Sequence, residues 1–517
     1  RKMRAMAHSV LVVCVLGAQA VAGTASASPA TALSMPFKGF SSPVSSPRSP
    51  RPSAHIRMNN DRKGATLERA EEASAAPVPP AGWPAAADGD AAQGEPPSVF
   101  GASALIAGTT VGAGILALPV TTLPVGFVPS TAALLLSWVF MCVSGLLIAE
   151  VTVNTICALQ RPGLGLLATS EQVLGRAGSR VAGGAYVFIH YALLVAYCAQ
   201  GGANAVSLLG DLPGVGGAVE ALAGERQVFG PALFSLLLGG LIGLGDASFL
   251  ENVNSAFVVL VVASFAGLLA VGIPSVDPSF LLAQADWPRS FEALPICILA
   301  LVYHNVVPIV CTQLRGDMGK IRTAVVAGSA VPLAMFIAWN ACVLGNVDPS
   351  AAAGGAQIDP MAVLAARADS AGASWTSAAL GSLVPVFSEA AIVTSFFGFV
   401  YGLYDFLTDA LGVRPGDKSK DALIYPLILA PPLVVVAVNP DIFLNALDTA
   451  GTFGVTTLFG LLPAAMAWRQ RAAGEAGDGK KLAVPPVVPG GQVTLSIMAL
   501  ISLVIIVEGA ADLAGLI

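Results

Sequence analysis

The chain has 517 residues, 55% of them hydrophobic and only 11% charged, with a mean hydropathy of +0.75, whereas soluble domains carry about 25% charged residues. That balance excludes soluble enzymes, and a net charge of −6 offers no basic face to nucleic-acid phosphates. Apolar runs that repeatedly exceed about 18 residues predict an all-α polytopic membrane protein rather than the short alternating strands of a membrane barrel.

The chain opens with an address. Residues 1–60 hold seven basic side chains and no acidic one, the first carboxylate being Asp61. Ser9 to Ala22 is an apolar run too short to span comfortably, preceded by Arg1, Lys2 and Arg4 and followed by small residues, the layout of a cleavable secretory signal. From Pro29 to Arg57 the composition turns to Ser, Pro and Arg, as in an organelle transit peptide. Together the two halves resemble the bipartite leader of proteins sent to complex plastids; a plain signal peptide followed by a tail is the alternative. Residues 61–98, rich in proline and scattered charge, cannot bury a core and read as a disordered linker. The functional unit is expected over residues 99–517.

Eleven apolar stretches follow, near 100–121, 128–152, 182–208, 229–245, 250–274, 291–313, 322–345, 379–404, 423–439, 442–468 and 492–515. The loops between them are asymmetric in charge. Thirteen Lys and Arg fall in the even-numbered loops (Arg161, Arg176 and Arg180 in the second, for example), against only Arg226, Arg289 and Arg367 in the odd ones. By the positive-inside rule the linker and the even loops face the cytoplasm or a stroma-like compartment. Cys14 lies in the leader and the other six cysteines lie in or beside apolar runs without CxxC spacing, so no disulfide framework, zinc site or other cofactor site is signalled.

Span 1 places Gly108, Thr109, Thr110, Gly112 and Gly114 at the depth where a helix should be most regular. Glycine costs about 1 kcal/mol in a helix relative to alanine. Two explanations fit: close helix packing through the Gly108 and Gly112 pair, or a broken helix whose free backbone groups line a cavity. In span 3, Tyr186, His190, Tyr197, Gln200 and Asn204 share one helical stripe. Such a stripe should face protein or water, unless Tyr186 and Asn204 merely mark the two interfaces. Span 6 carries Tyr303, His304, Asn305 and Pro308 at its centre, and the proline removes a backbone hydrogen bond. Two interrupted spans five apart are what an inverted five-helix repeat predicts. In span 8, Glu389 has no Lys or Arg within its own span. A carboxylate at that depth costs about several kcal/mol, which makes Glu389 a candidate proton carrier, or else the donor of a structural hydrogen bond between helices. Glu150, at the end of span 2, reads as an interfacial residue.

Four stretches resemble the aromatic amino acid permeases (tryptophan and tyrosine permeases) of the amino acid, polyamine and organocation superfamily. These are Ala107-Gly-Thr-Thr-Val-Gly-Ala-Gly-Ile-Leu-Ala-Leu-Pro119, Tyr303-His304 to Pro308, Gly328-Ser-Ala-Val-Pro332-Leu with Trp339, and Thr394-Ser-Phe-Phe-Gly-Phe-Val-Tyr-Gly-Leu-Tyr-Asp405. The resemblance implies a LeuT-type 5+5 inverted repeat plus an eleventh span, import of an aromatic amino acid, and coupling to protons. It also implies that the substrate's carboxylate and amino group meet the unwound backbone of Ala107, Gly108, Thr109, Thr110, Val111, Gly112 and Gly114 and of Tyr303, His304 and Asn305. A pocket for the ring is then offered by His190 and Tyr197. Glu389, with His304, is the candidate proton path. Thr394 and Ser395 occupy the stretch where sodium-coupled relatives hold their ion, so sodium coupling with another amino acid is the alternative.

A remoter alternative is a membrane prenyltransferase, since Asp405 and Asp409, followed by Asp417 and Asp421, have the spacing of magnesium-diphosphate clusters. That chemistry needs clusters facing each other from different parts of the bundle, and the second loop contains no aspartate. The expected protein is therefore a secondary transporter embedded in a lipid bilayer, with an aromatic amino acid and a proton or sodium ion as its partners and no nucleic acid.

Overall fold

A computed structural model of the chain describes residues 79–84, 98–210, 214, 216–225, 228–348, 374–412, 418–475 and 482–515. The expected leader and Asp417 lie outside these residues. Of the expected linker, Ser98 and the six residues 79–84 are described; the latter form a turn with Trp83 buried.

Every described element is helical, and an apolar helix or helix pair stands at each of the eleven expected positions. Span 1 is a pair, Val99–Thr110 and Gly114–Thr122, bent by 58°. Spans 2 to 5 are Phe127–Leu159, Leu166–Gly210, Phe229–Leu244 and Ala247–Gly272. Span 6 is again a pair, Leu294–Ala300 and Val307–Gln313. Spans 7 to 9 are Met318–Leu344, Ser374–Leu411 and Lys418–Val438. Span 10 runs from Phe443 to Glu475 and is wound as a π-helix over Ala450–Leu461, where the helix is wider. Span 11 is Gly491–Ala514. Span 3 begins sixteen residues earlier than its apolar stretch suggests, because a polar entry segment joins it across a non-helical Gly175 (φ 74°).

The packing repeats with a period of five spans. Span 1 packs on span 7 as span 6 packs on span 2; span 3 packs on spans 4 and 10 as span 8 packs on spans 9 and 5. The pairs 3–8, 1–6, 2–7 and 4–9, which such a shift maps onto themselves, are all in contact. An odd shift reverses the direction in which a span crosses, so the two halves are inverted copies. Spans 6 and 10 are the most buried, 72% and 78% over their most apolar windows, against 28% for span 5 and 22% for span 11. The first two form the centre of the bundle and the last two its lipid-facing edge.

The C-terminal parts of spans 2 and 10 are joined by charge. Glu150 is fully buried and receives two bonds from Arg471, Nε to Oε1 and a terminal nitrogen to Oε2, both 2.7 Å. The amide of Val487, in the loop before span 11, donates to the same carboxylate at 2.8 Å. Glu150 is thus a core residue, not an interfacial one. Sequence hydropathy ends span 10 before Arg471; the helix continues because its charged turn is neutralised against span 2.

Candidate substrate and coupling site

The first half of span 1 ends where Val111 adopts an extended conformation (φ −76°, ψ 106°), and the helix restarts at Gly114. Its glycines then divide by role. A Cβ on Gly114 would lie 3.0 Å from the Ala300 Cα, the last residue of the first half of span 6, and one on Gly112 would lie 2.9 Å from the Ser395 Oγ of span 8. Gly108 meets nothing within 4 Å and, with Thr109, is exposed. Gly112 and Gly114 therefore serve close packing, whereas Gly108 packs against no other helix, so the expected Gly108 and Gly112 packing pair does not form and the helix is broken between them.

In span 6 the helical ladder stops at Ala300, passes through a short 3-10 turn at His304–Val306 and resumes at Val307. Because Gly114 abuts Ala300, the two interruptions are neighbours. Helix ends carry unpaired amides or carbonyls, and bringing two such breaks together at mid-depth concentrates these groups where a zwitterion or an ion could use them.

The side chains of Tyr303 and His304 turn towards span 2. Both are fully buried, and the Tyr303 hydroxyl (3.0 Å) and the His304 Nε2 (3.1 Å) donate to one acceptor, the Met141 carbonyl of span 2. The His304 ring also stacks on Phe459 of span 10, with centroids 4.9 Å apart. Room for the tyrosine comes from Gly145, where a Cβ would stand 2.7 Å from its hydroxyl. Asn305, by contrast, is exposed.

Each residue of the polar stripe of span 3 meets span 8 or a neighbour that does. Tyr186 donates to the Gly402 carbonyl at 3.3 Å and stacks on His190, centroids 3.9 Å apart. His190 and Tyr197 both lie against Phe399, at 4.9 and 5.7 Å. Tyr197 hydrogen-bonds Ser395, whose Oγ accepts from the Ala113 amide at 3.2 Å. One chain of contacts so links span 3, span 8 and the break in span 1. A second links Gln200 through Asn204 (2.9 Å) to Ser388 (2.8 Å) and to Glu389. The remaining oxygen of Glu389 has no hydrogen-bond partner among the described residues. The Thr394 hydroxyl bonds back to its own helix, at Ala391 (3.0 Å).

Towards the C-terminal end of span 8, Gly398, Tyr401, Asp405 and Asp409 form an exposed stripe. Two carboxylates on this face make it a wall against water rather than lipid. Glu389 and His304 are held by different neighbours, Asn204 and Met141. Sequence reasoning missed Met141, Gly145 and Ala300; a lone glycine inside the long apolar span 2 was the one available sign of a close approach.

Residues 95–508 match the family model described as the tryptophan/tyrosine permease family. Among curated proteins, tyrosine-specific transport system 2 of Haemophilus influenzae is 30% identical over 78% of this chain and 94% of its own length. The tryptophan-specific transport protein of the same organism is 28% identical over 73% of this chain and 89% of its own length. A tryptophan-specific transport protein of Pseudomonas aeruginosa is 27% identical over 69% and 82%.

Proposed function

Because the chain belongs to the tryptophan/tyrosine permease family, we propose that it is a secondary transporter carrying an aromatic amino acid, tyrosine or tryptophan, together with a proton, by alternating access. The observation that carries this reading is the meeting of the two breaks at Gly114 and Ala300 beside Ser395. The substrate carboxylate is taken by the amides of Gly112 and Gly114, where the second half of span 1 opens and the helix dipole is positive, the Ala113 amide being held by Ser395. Its ammonium group is taken by the carbonyls of Gly108 to Val111, at the break of span 1, whereas those of Ala107, Tyr303 and His304 already accept backbone amides. The aromatic ring is received between spans 3 and 8, beside the cluster in which the His190 and Tyr197 rings meet Phe399 at steep angles. Glu389, held on one side by Asn204, carries the proton, and His304, whose side chain is turned to the Met141 carbonyl, stands apart from it.

Coupling to sodium is the competing reading, favoured by the Ser395 hydroxyl lying on the break of span 1. Uptake of tyrosine, tryptophan and phenylalanine into proteoliposomes, under an imposed pH gradient and separately under a sodium gradient, decides between them. Accumulation driven by the pH gradient alone is expected; accumulation that requires sodium overturns the proton assignment. The composition of residues 1–60 supports a plastid envelope as the membrane, and a fluorescent protein fused behind residues 1–98 should then collect in plastids rather than at the cell surface.

A further inference from the structure

Six residues ahead of the first span occupy a place of their own against the bundle. Pro80 to Trp83 forms a turn closed by the Trp83 amide donating to the Pro80 carbonyl at 3.0 Å. Gly82 has φ +85° at the third position of this turn, a conformation suited to glycine. The carbonyl of Gly82 accepts from the Gln160 side chain at 2.5 Å, at the C-terminal end of span 2. The Trp83 ring, 9% exposed, lies over the turn joining spans 6 and 7: a Cβ on Gly316 (φ +72°) would stand 2.7 Å from its edge and 3.0 Å from Pro80. The segment therefore touches the end of span 2 on one side and, on the other, the turn that ends the second half of span 6.

That half-helix, Val307–Gln313, is joined to the rest of span 6 through residues 301–306, an irregular stretch that ends in the 3-10 turn His304–Val306. It is the part of span 6 that the break sets apart from the rest; it packs on span 2, and Trp83 lies at its C-terminal end. We propose that the Pro79–Pro84 segment is a built-in brake, pinning the second half of span 6 to span 2 and slowing the rearrangement that each transport cycle requires. Conformational steps of this kind set the turnover of many proteins. The segment precedes residues 95–508, which the family model matches.

Cys157 provides an independent reporter, because it is buried at the C-terminal end of span 2, 3.7 Å from where a side chain on Gly82 would begin. In the full-length protein in proteoliposomes, Trp83→Ala should speed labelling of Cys157 by a membrane-impermeant maleimide, with Cys157→Ser as background. It should also raise the initial rate of labelled tyrosine exchange about threefold. Gln160→Ala, which releases the segment's backbone without touching the ring, should move both readouts in the same direction, and the free peptide Pro-Pro-Ala-Gly-Trp-Pro should reverse both. Unchanged labelling in both variants would show that the segment does not dock. Faster labelling with unchanged or slower exchange would show docking without a brake, and either result overturns the proposal. Labelling needs no substrate, so an error in the substrate assignment is distinguishable from an error here.

Discussion

A side chain on Gly112 would begin 2.9 Å from the hydroxyl of Ser395, so the interrupted backbone of span 1 and the side chain of span 8 meet with no atom to spare between them. The same hydroxyl accepts from the Ala113 amide and bonds Tyr197, which leaves it no freedom to retreat.

Gly112→Leu should accordingly abolish uptake while the protein still inserts and melts as a folded species. Gly112→Ala should lower the transport rate about tenfold, the consequence of roughly 1.4 kcal/mol of added barrier. Uptake of labelled tyrosine at matched expression is the measurement, and normal transport by Gly112→Leu would remove span 1 from the site.

Glu389→Gln keeps the shape and the bond to Asn204 but cannot release a proton. Accumulation driven by a pH gradient should vanish, while exchange of labelled for unlabelled substrate persists at a reduced rate. Equal loss of both activities would assign Glu389 a structural role instead.

Gly145→Ala should force the Tyr303 ring from its place, since the new methyl would stand 2.7 Å from the hydroxyl. Overpacking of this kind costs about 1–3 kcal/mol. Tyr303→Phe removes the crowded atom and one bond to Met141, worth about 1 kcal/mol, so the double variant should be more stable than Gly145→Ala alone. Thermal melting in detergent reads the cycle; simple additivity would mean the two residues do not press on each other.

The pair Glu150 and Arg471 supplies a third kind of test. Arg471→Met leaves a buried carboxylate without its partner and should cost about 3–5 kcal/mol, whereas removing both charges with Glu150→Leu and Arg471→Met should recover most of that loss. A double variant no more stable than Arg471→Met would show that the pair does more than neutralise itself.

The crossing segments were legible because each one must satisfy its own backbone in lipid, and that requirement writes itself into about 20 consecutive apolar residues. The breaks in spans 1 and 6 were legible for the related reason that glycine and proline at mid-depth disturb a helix wherever they occur. The polar stripe of span 3 followed from helical periodicity alone. What each side chain touches did not follow. Glu150 read as interfacial because its neutralising partner, Arg471, lies 321 residues away in sequence. Tyr303 and His304 read as lining the opening because their position in the break was visible, whereas the direction of their side chains depends on the space left by Gly145.

By itself the sequence determined the class of protein, the positions of the eleven apolar helices or helix pairs and the two interruptions, all consequences of local composition and period. Only the tertiary structure decided that Gly112 and Gly114 are packing contacts while Gly108 faces open space, that Asn204 holds Glu389, and that Trp83 lies against the bundle. These are relations between segments distant in the chain, fixed by close packing and paired polar groups, and neither leaves a periodic trace in any one segment.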